Sequence, residues 1–509
     1  MSGGERALAR ATAWGVVWAF AATAAGKLLA LAALAVLARL LVPEDFGLLA
    51  FALVWIAYLE PVGDLGAGAA LIYWPGRRAA AARVSFAVNL ATGAAWCGLT
   101  QLAAPAVAEF FHRPDGEAVL RVLALAFPLK ALGNTHDALC QRGMRFRARM
   151  VPELALAATK AGAALALAAA GFGVWSLVWG QLLGLAAWTV ALWRVVPWRP
   201  WHRVAGGGGL LRPLLAYGRR VVAVNVLAAI VHHADLVVVG RMAGSAALGF
   251  YQVAYKVPEA TVTVAIWVVG RVLFPAFSRL AAAGRGLADA LPAALRYLAL
   301  VTLPAAAGLF VLAEPLVTTL FGARWAPSAP LLQALAVYAA LRSVGSPAGD
   351  VLKALGRPGL LAALGAAKAT LLVPVLVLAG GRGALAVAAA LAAVTALTAA
   401  VNLGVAAHLT PVPARRLAAA LAPGAAAALA VIPALLAARH LADGAGALAL
   451  GAALGGGAWL LALRAFAPEA LGRARAALSA RRAAVGSEPV VAAPERRPPS
   501  PVHGAEAWP

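Results

Sequence analysis

The chain has 509 residues, of which 63% are hydrophobic and only 12% are charged, and its mean hydropathy is +0.84. Soluble domains contain about 45–50% apolar and about 25% charged residues, so this composition predicts a multi-pass membrane protein and excludes most soluble enzymes. The net charge of +23 comes from basic residues that are spread between apolar segments, which argues against nucleic acid as a partner.

Fourteen apolar segments, each long enough to span a bilayer as a helix, follow one another along the chain. The first six cover approximately residues 13–38, 46–72, 84–108, 117–138, 150–170 and 174–195. The other eight cover approximately residues 214–239, 247–275, 292–320, 328–352, 359–379, 383–408, 417–438 and 445–466. The first segment is too long for the apolar part of a cleavable signal peptide, so we interpret it as the first transmembrane helix.

These segments predict an all-α integral membrane protein with two six-helix bundles, which cover residues 1–196 and 214–408. A polar, glycine-rich linker at 197–213 joins the bundles on the cytoplasmic side, and residues 409–466 supply two further helices. Residues 467–509 are polar and rich in proline, so we expect them to form a disordered cytoplasmic tail.

The distribution of lysine and arginine predicts the orientation, because short cytoplasmic loops are enriched in these residues. With the N-terminus inside, most of the basic residues fall in cytoplasmic segments. The outer loops hold only Arg39, Arg113, Arg241, Arg324, Arg382 and Arg439. This bias predicts an even number of helices, with both termini in the cytoplasm.

A weak internal repeat relates the two predicted bundles. Arg39 and Gly47, beside the first outer loop, match Arg241 and Gly249, which lie 202 residues later. A fainter parallel pairs Pro105 and Phe111 with Pro315 and Phe321. Matched helices run in the same direction, so the repeat predicts a pseudo-twofold axis along the membrane normal and a binding site between the bundles near mid-membrane.

Six basic residues interrupt the apolar segments near their centres. An ionisable side chain inside a bilayer costs about 2.5–3.5 kcal/mol on insertion scales, so it normally faces a cavity or a partner. The six residues are Lys27, Lys130, Lys160, Lys256, Arg342 and Lys368. Together they predict a basic central cavity that binds a phosphate or another anionic head group. The alternative is that several of them snorkel or pair locally, as Lys256 and Glu259 can at i, i+3.

Acidic residues are fewer, and Glu259 is the clearest one near mid-membrane. Others lie toward the ends of predicted helices, namely Glu60, Asp64, Asp137, Asp235 and Asp350. They can either neutralise basic partners and gate the protein or carry a coupling ion, and the spacing does not separate these roles. We therefore assign gating or ion coupling to Glu60, Asp64, Asp235, Glu259 and Asp350.

Several small motifs have a structural and a functional interpretation. Pro61, Pro128, Pro258 and Pro347 either break helices or are tolerated as kinks. The GxxxG spacings 180–184 and 451–455 favour close helix packing inside the bundle over dimerisation. Neither histidines nor cysteines show a zinc-binding pattern. We interpret His232 and His233 as polar groups near a helix end, and Cys97 and Cys140 as small buried side chains.

The sequence contains no P-loop, no long outer loop that could house a catalytic site, and no recognisable Ser-His-Asp arrangement. We therefore predict a protein that is not an enzyme and needs no cofactor.

Six segments, in order, resemble those of Wzx-type oligosaccharide flippases. This family is the polysaccharide transport branch of the multidrug/oligosaccharidyl-lipid/polysaccharide exporter superfamily. The segments are Ala38–Leu48, Asp64–Leu71, Ala138–Arg147, Gly173–Gln181, Asp235–Tyr251 and Leu273–Leu280. They cover most of the first 280 residues, and the rest of the chain is similar in hydropathy and helix number.

The resemblance implies two six-helix bundles arranged as in multidrug and toxic-compound extrusion proteins, plus two C-terminal helices. It implies transport of an undecaprenyl-diphosphate-linked oligosaccharide across the bacterial cytoplasmic membrane by alternating access, with the six cations as head-group contacts. The product would be lipopolysaccharide O-antigen, capsule or exopolysaccharide, and a polymerase or export machinery would be a partner.

Three alternatives stay open: a multidrug or cation antiporter, a lipid II flippase, and a glycan-assembly scaffold that transports nothing. Drug-exporting relatives typically carry an acidic coupling residue in their first helix, where this chain has only Lys27.

Overall fold

The computed structural model describes residues 26–27, 29–73, 78–143, 145–201, 209–284 and 286–469, and these residues form helices without any strand. The first lobe consists of α1 (Leu29–Leu40), α2 (Pro43–Leu59), α3 (Ala67–Tyr73), α4 (Arg78–Phe110), α5 (Gly116–Leu123), α6 (Ala126–Arg142), α7 (Phe146–Ala169) and α8 (Val174–Val195). The second lobe consists of α9 (Leu211–Met242), α10 (Gly244–Ala260), α11 (Val262–Ala282), α12 (Leu287–Val311), α13 (Ala313–Phe321), α14 (Ser328–Ala354), α15 (Pro358–Gly380) and α16 (Ala384–Leu409). Helices α17 (Ala414–Leu441) and α18 (Gly444–Phe466) follow.

The described helices are those of a multi-pass membrane protein. Nine spans within the described ranges are long and apolar enough to cross a bilayer. They comprise α2 with the turn that follows it, the C-terminal parts of α7 and α9, and all of α8, α12, α15, α16, α17 and α18. Most of the first predicted segment, residues 202–208 of the linker and the tail from residue 470 lie outside the described residues. The total of fourteen spans therefore stays a prediction.

Four of the predicted segments, which the sequence suggested as single helices, are each divided in two. Segment 46–72 is divided by a 3₁₀ turn at Glu60–Val62, and segment 247–275 by Thr261 between α10 and α11. Pro61 lies in the first break, and Pro258 lies in the last turn of α10, three residues before Thr261. Proline lacks the N–H that continues the helical hydrogen bonds, which favours a nearby break. Pro347, in contrast, is accommodated inside α14. The other divisions separate α5 from α6 and α12 from α13.

Both GxxxG motifs mediate close packing inside the protein, as predicted. A Cβ atom on Gly180 would lie 2.8 Å from the Ala164 Cβ, and one on Gly184 would lie 2.7 Å from the Lys160 Cβ. Helix α8 can therefore approach α7 closely at the turn of α7 that carries Lys160. The second motif packs in the same way, because a Cβ on Gly455 would lie 2.8 Å from a methyl carbon of Leu435 in α17.

The most extensive contact between the lobes joins α2 to α10, and two glycines make it close. A Cβ on Gly47 would collide with the carbonyl oxygen of Ser245, and a Cβ on Gly249 would collide with that of Pro43. Adding 202 to 43 and 47 gives 245 and 249, so the offset of the sequence repeat exchanges the two contacts. A pseudo-twofold axis between the lobes predicts such a reciprocal pair.

The same end of the molecule is closed by further contacts between the lobes, and we name it the sealed end. It contains the α1–α2 and α9–α10 turns and the segment after α13. The Trp325 indole donates a hydrogen bond to the Ala38 carbonyl oxygen at 2.7 Å, and its ring centre lies 5.2 Å from that of Phe46. The Arg39 Nε donates to the Leu320 carbonyl oxygen at 3.2 Å.

Arg241 makes the corresponding contact in the opposite direction. Its guanidinium carbon lies 5.3 Å from the centre of the Phe110 ring, and its Nη1 lies 2.8 Å from the Nε2 of His112. Phe110 and Leu320 differ by 210 positions, which is the offset of the second sequence parallel. The arginine of each lobe therefore reaches the equivalent helix end of the other lobe.

Candidate functional site

A carboxylate at the break between α10 and α11 bridges two lysines. Glu259 accepts a hydrogen bond from Lys256 Nζ at 2.8 Å on one oxygen and from Lys27 Nζ at 3.1 Å on the other. Lys27 belongs to the helical residues just before α1, so this contact crosses from the first lobe to the second. Pro258 lies in the last turn of α10 beside Glu259, just before the break at Thr261, which places this charged cluster inside predicted segment 247–275.

The three side chains of this cluster are partly accessible to solvent where the two lobes meet. The side chains of Lys27, Lys256 and Glu259 are 42%, 46% and 28% exposed, although they contact charged groups of both lobes. Lys160, midway along α7, is also exposed and lies within electrostatic range of Lys256. Four of the predicted site residues therefore lie near one another, with two ammonium groups bound to one carboxylate and a third, that of Lys160, close to Lys256.

A second ion pair lies on the first lobe. Lys130 of α6 pairs with Glu60, which occupies the 3₁₀ turn that Pro61 introduces after α2. His233 connects this pair to the first cluster, because it lies within electrostatic range of Glu60, Lys256 and Glu259.

A third group lies in the second lobe, near the midpoints of α14 and α15 and of the apolar part of α9. The Nη2 of Arg342 donates to the Nε2 of His232 at 3.2 Å. The His232 Nδ1 lies 3.0 Å from the Ala228 carbonyl oxygen, which it can contact only as a donor. Lys368 lies 3.5 Å from the Thr395 hydroxyl and within electrostatic range of Arg342.

The three groups form one continuous charged region, which we name the central cationic network. Arg342 lies within electrostatic range of Glu259, and His233 connects Glu259 with Glu60, so each group is coupled to a neighbour. The network contains all six cations that the sequence singled out, and among the acids assigned to gating it contains Glu60 and Glu259. Six cations against two carboxylates leave a large positive excess at mid-depth, which suits the binding of an anion.

The remaining candidate acids lie elsewhere and have structural partners. Asp64 accepts hydrogen bonds from the backbone N–H groups of Gly66 and Gly68 at 2.8 and 3.0 Å and so caps the start of α3. Asp235 is 2% exposed and accepts a hydrogen bond from the Tyr251 hydroxyl at 2.8 Å. Asp350 pairs with Lys353 at 3.2 Å, one turn along α14. Gating or ion coupling by these three acids stays a prediction.

The two histidines of α9 are the site residues that the sequence interpretation missed. We interpreted them as polar groups near a helix end, but the apolar span of α9 runs from Val222 to Met242 and places them at its centre. Arg219 and Arg220 were the available signal, because a pair of charges moves the start of the apolar span toward the C-terminus.

The chain is similar to proteins of bacterial polysaccharide biosynthesis. It is 27% identical over 372 residues to the lipopolysaccharide biosynthesis protein WzxC of Escherichia coli strain K12. The aligned region covers 72% of this chain and 74% of WzxC. It is 28% identical over 327 residues to the succinoglycan biosynthesis transport protein ExoT of Rhizobium meliloti strain 1021. Here the aligned region covers 64% of this chain and 66% of ExoT.

Solved structures show the same fold. The lipid II flippase MurJ in an inward closed conformation superposes with a TM-score of 0.74 over 89% of this chain and 99% of its own, at 13% identity. An inward-facing multidrug resistance MATE family transporter of the MOP superfamily superposes with a TM-score of 0.59 over 76% of this chain and 94% of its own, at 15% identity.

A family model covers more than half of the chain. The model described as polysaccharide biosynthesis protein matches residues 36–330. This range includes three of the six cations of the network, Lys130, Lys160 and Lys256, and both of its carboxylates, Glu60 and Glu259. The chain therefore belongs to the polysaccharide biosynthesis protein family.

Proposed function

We propose that this protein is a flippase that moves a lipid-linked oligosaccharide across the bacterial cytoplasmic membrane for polysaccharide biosynthesis. The observation that carries the proposal is the central cationic network, which lies between the lobes at mid-depth. The cargo is an oligosaccharide on undecaprenyl diphosphate, and the network binds its anionic head group. A polymerase or export machinery would act on the delivered cargo.

The first cluster suits the diphosphate best. Lys27, Lys160 and Lys256 converge from both lobes, and two of them are held by the single carboxylate of Glu259. A diphosphate that displaces Glu259 would receive several charge-assisted hydrogen bonds, which are about twice as strong as neutral ones. Like-charge repulsion in the same cluster disfavours a cationic drug as cargo.

The sealed end supports alternating access. The positive-inside bias supports an outer position for this end, so the central cationic network would be reached from the cytoplasm in this structure. A flipping cycle then requires the contacts of Arg39, Arg241 and Trp325 to open and the lobes to close at the other end. The lipid tail stays in the bilayer while the charged head crosses between the lobes.

The test is deletion of the gene in its host, followed by mass spectrometry of undecaprenyl-diphosphate-linked oligosaccharides in membranes and assay of surface polysaccharide. We expect the linked precursor to accumulate and the surface polymer to be lost, with both restored by the wild-type gene. A Lys27→Gln, Lys256→Gln double variant should be present at wild-type levels and fail to restore export, because it removes both cations that hold Glu259.

The control variant is Arg382→Gln, which changes a loop arginine between α15 and α16. It should restore export fully. Unchanged precursor and polymer in the deletion strain contradict the proposal. Accumulation of lipid II instead of an oligosaccharide precursor would replace the cargo with that of MurJ.

A further inference from the structure

Two neighbouring cations of the second lobe, Arg342 and Lys368, have no carboxylate partner within the described residues, as is also true of Lys160 in the first lobe. Within the described ranges, Lys27 and Lys256 pair with Glu259 and Lys130 pairs with Glu60, whereas Arg342 and Lys368 have only neutral hydrogen-bond partners. Glu259 acts on Arg342 from a distance, but both of its oxygens already bind lysines. Arg342 and Lys368 therefore repel each other at mid-depth without a local counter-ion.

Two uncompensated cations inside a membrane protein are costly unless a ligand neutralises them. The diphosphate of the cargo binds the cluster around Glu259 in the proposed function, so a different anionic group has to serve Arg342 and Lys368. We infer that Arg342, Lys368 and His232 form a second anion subsite, which binds a carboxylate on a sugar of the cargo. This inference rests on the proposed function and predicts an acidic repeat unit, such as one that contains a uronic acid.

The geometry of the subsite favours a carboxylate. His232 is fixed by its contact with the Ala228 carbonyl oxygen and accepts from one Nη of Arg342, and Tyr338 also hydrogen-bonds the guanidinium. These two contacts orient the guanidinium, whose five N–H donors exceed them in number. A planar guanidinium with free donors matches the two oxygens of a carboxylate. Lys368 adds a second positive charge from α15.

Two tyrosines brace Arg342 from the buried side. Tyr338 and Tyr255 both lie within electrostatic range of Arg342, and their ring centres are 6.1 Å apart. Tyr338 is 8% exposed and belongs to the core, and Tyr255 packs against that core, so the pair restricts the movement of the guanidinium.

Binding to the full-length protein in phosphatidylcholine nanodiscs tests the inference, because this lipid carries no net charge. The probes are digalacturonate for the second subsite, neutral digalactose as its control, and farnesyl diphosphate for the cluster around Glu259. Wild-type protein should bind digalacturonate more tightly than digalactose. Arg342→Gln and Lys368→Gln should each weaken digalacturonate binding at least about tenfold and change farnesyl diphosphate binding by less than about threefold.

Two further variants complete the design. Lys256→Gln should show the opposite pattern, with weaker farnesyl diphosphate binding and little change for digalacturonate. Arg342→Lys retains the charge but loses the planar pair of donors, so it should bind digalacturonate more weakly than wild type and more tightly than Arg342→Gln. Size-exclusion profiles of all variants check that the protein is folded.

The failure of the inference is distinguishable from that of the proposed function. Equal affinity for digalacturonate and digalactose, or a parallel loss of both anionic probes in Arg342→Gln, overturns the second subsite and leaves the flippase proposal standing. Absence of farnesyl diphosphate binding, or binding that Lys256→Gln does not weaken, counts against the flippase proposal itself.

Discussion

Glu259 illustrates how one residue can set the affinity of the whole site. It holds Lys27 of the first lobe and Lys256 of the second, so in the proposed function an incoming diphosphate has to compete with it for both ammonium groups. Replacing Glu259 with glutamine should remove this competition. We expect farnesyl diphosphate to bind about two- to fivefold more tightly, the range for a partly exposed ion pair.

The measurement is a binding titration of the Glu259→Gln variant in phosphatidylcholine nanodiscs. Glu314→Gln is the matched control, because Glu314 also pairs with an arginine, Arg439, at 2.9 Å but lies outside the network. It should bind the probe with wild-type affinity. Weaker binding in Glu259→Gln would show that this carboxylate organises the lysines instead of competing with the ligand.

At the residue scale, the sequence located the six cations of the central cationic network but not how they pair. The six cations are conspicuous because each interrupts an apolar segment, and hydropathy locates such interruptions well. The partner of Lys27 is 232 positions away, and no local spacing contains that information. His232 and His233 were misplaced because the start of the apolar span of α9 depends on where Arg219 and Arg220 lie in the bilayer.

At the element scale, the close approach of α8 to α7 positions Lys160. A Cβ on Gly184 would lie 2.7 Å from the Lys160 Cβ, so a larger side chain has to push α7 away or tilt it. We expect Gly184→Leu to lower the free energy of unfolding by about 1–3 kcal/mol through overpacking, and to weaken farnesyl diphosphate binding by moving Lys160.

Thermal unfolding in detergent, followed by circular dichroism, measures the stability change. Gly162 on α7 supplies the control, because a Cβ there would meet nothing within 4 Å. Gly162→Ala should leave stability unchanged or raise it by up to about 1 kcal/mol, the helix-propensity difference between glycine and alanine. Equal behaviour of the two variants would mean that the α7–α8 contact is not tight.

The elements themselves were predicted in part. Apolar length located the described helices, since length and composition are what a bilayer selects. It did not locate the breaks at Pro61 and Pro258, because proline is tolerated inside some helices, as Pro347 is in α14. These two breaks carry Glu60 and Glu259, so the least predictable feature of the elements is the one that positions the acids.

At the scale of the whole molecule, the sequence repeat has a physical counterpart in the sealed end. Gly47 and Gly249 exchange equivalent contacts with Ser245 and Pro43, which is what two related lobes produce when they meet about an axis. The offset of 202 was visible in the sequence. The packing of α2 against α10 was not, because an offset relates equivalent positions and does not state which of them touch.

The pseudo-symmetric arginines give the sealed end a testable energetic role. Arg39 and Arg241 each reach from one lobe to a helix end of the other. In the proposed cycle, both contacts therefore have to break before the lobes can separate at the sealed end. Arg39→Ala and Arg241→Ala should shift the protein toward the outward-open state by similar amounts, since the two contacts are equivalent. Loss of hydrogen bonds from a charged group predicts a shift of at least about fivefold in the population.

Ser245 reports on this opening, because it is 8% exposed and packs against Gly47 in the sealed end. A Ser245→Cys reporter is placed in a chain that carries Cys97→Ala and Cys140→Ala, and intact cells are treated with a maleimide that does not cross the membrane. Each arginine variant should accelerate labelling of the reporter, whereas Arg382→Ala, in the loop between α15 and α16, should not. An unchanged labelling rate in both arginine variants would mean that α2–α10 packing alone keeps the sealed end closed. A change in only one variant would show that the Arg39 and Arg241 contacts do not contribute equally to keeping it closed.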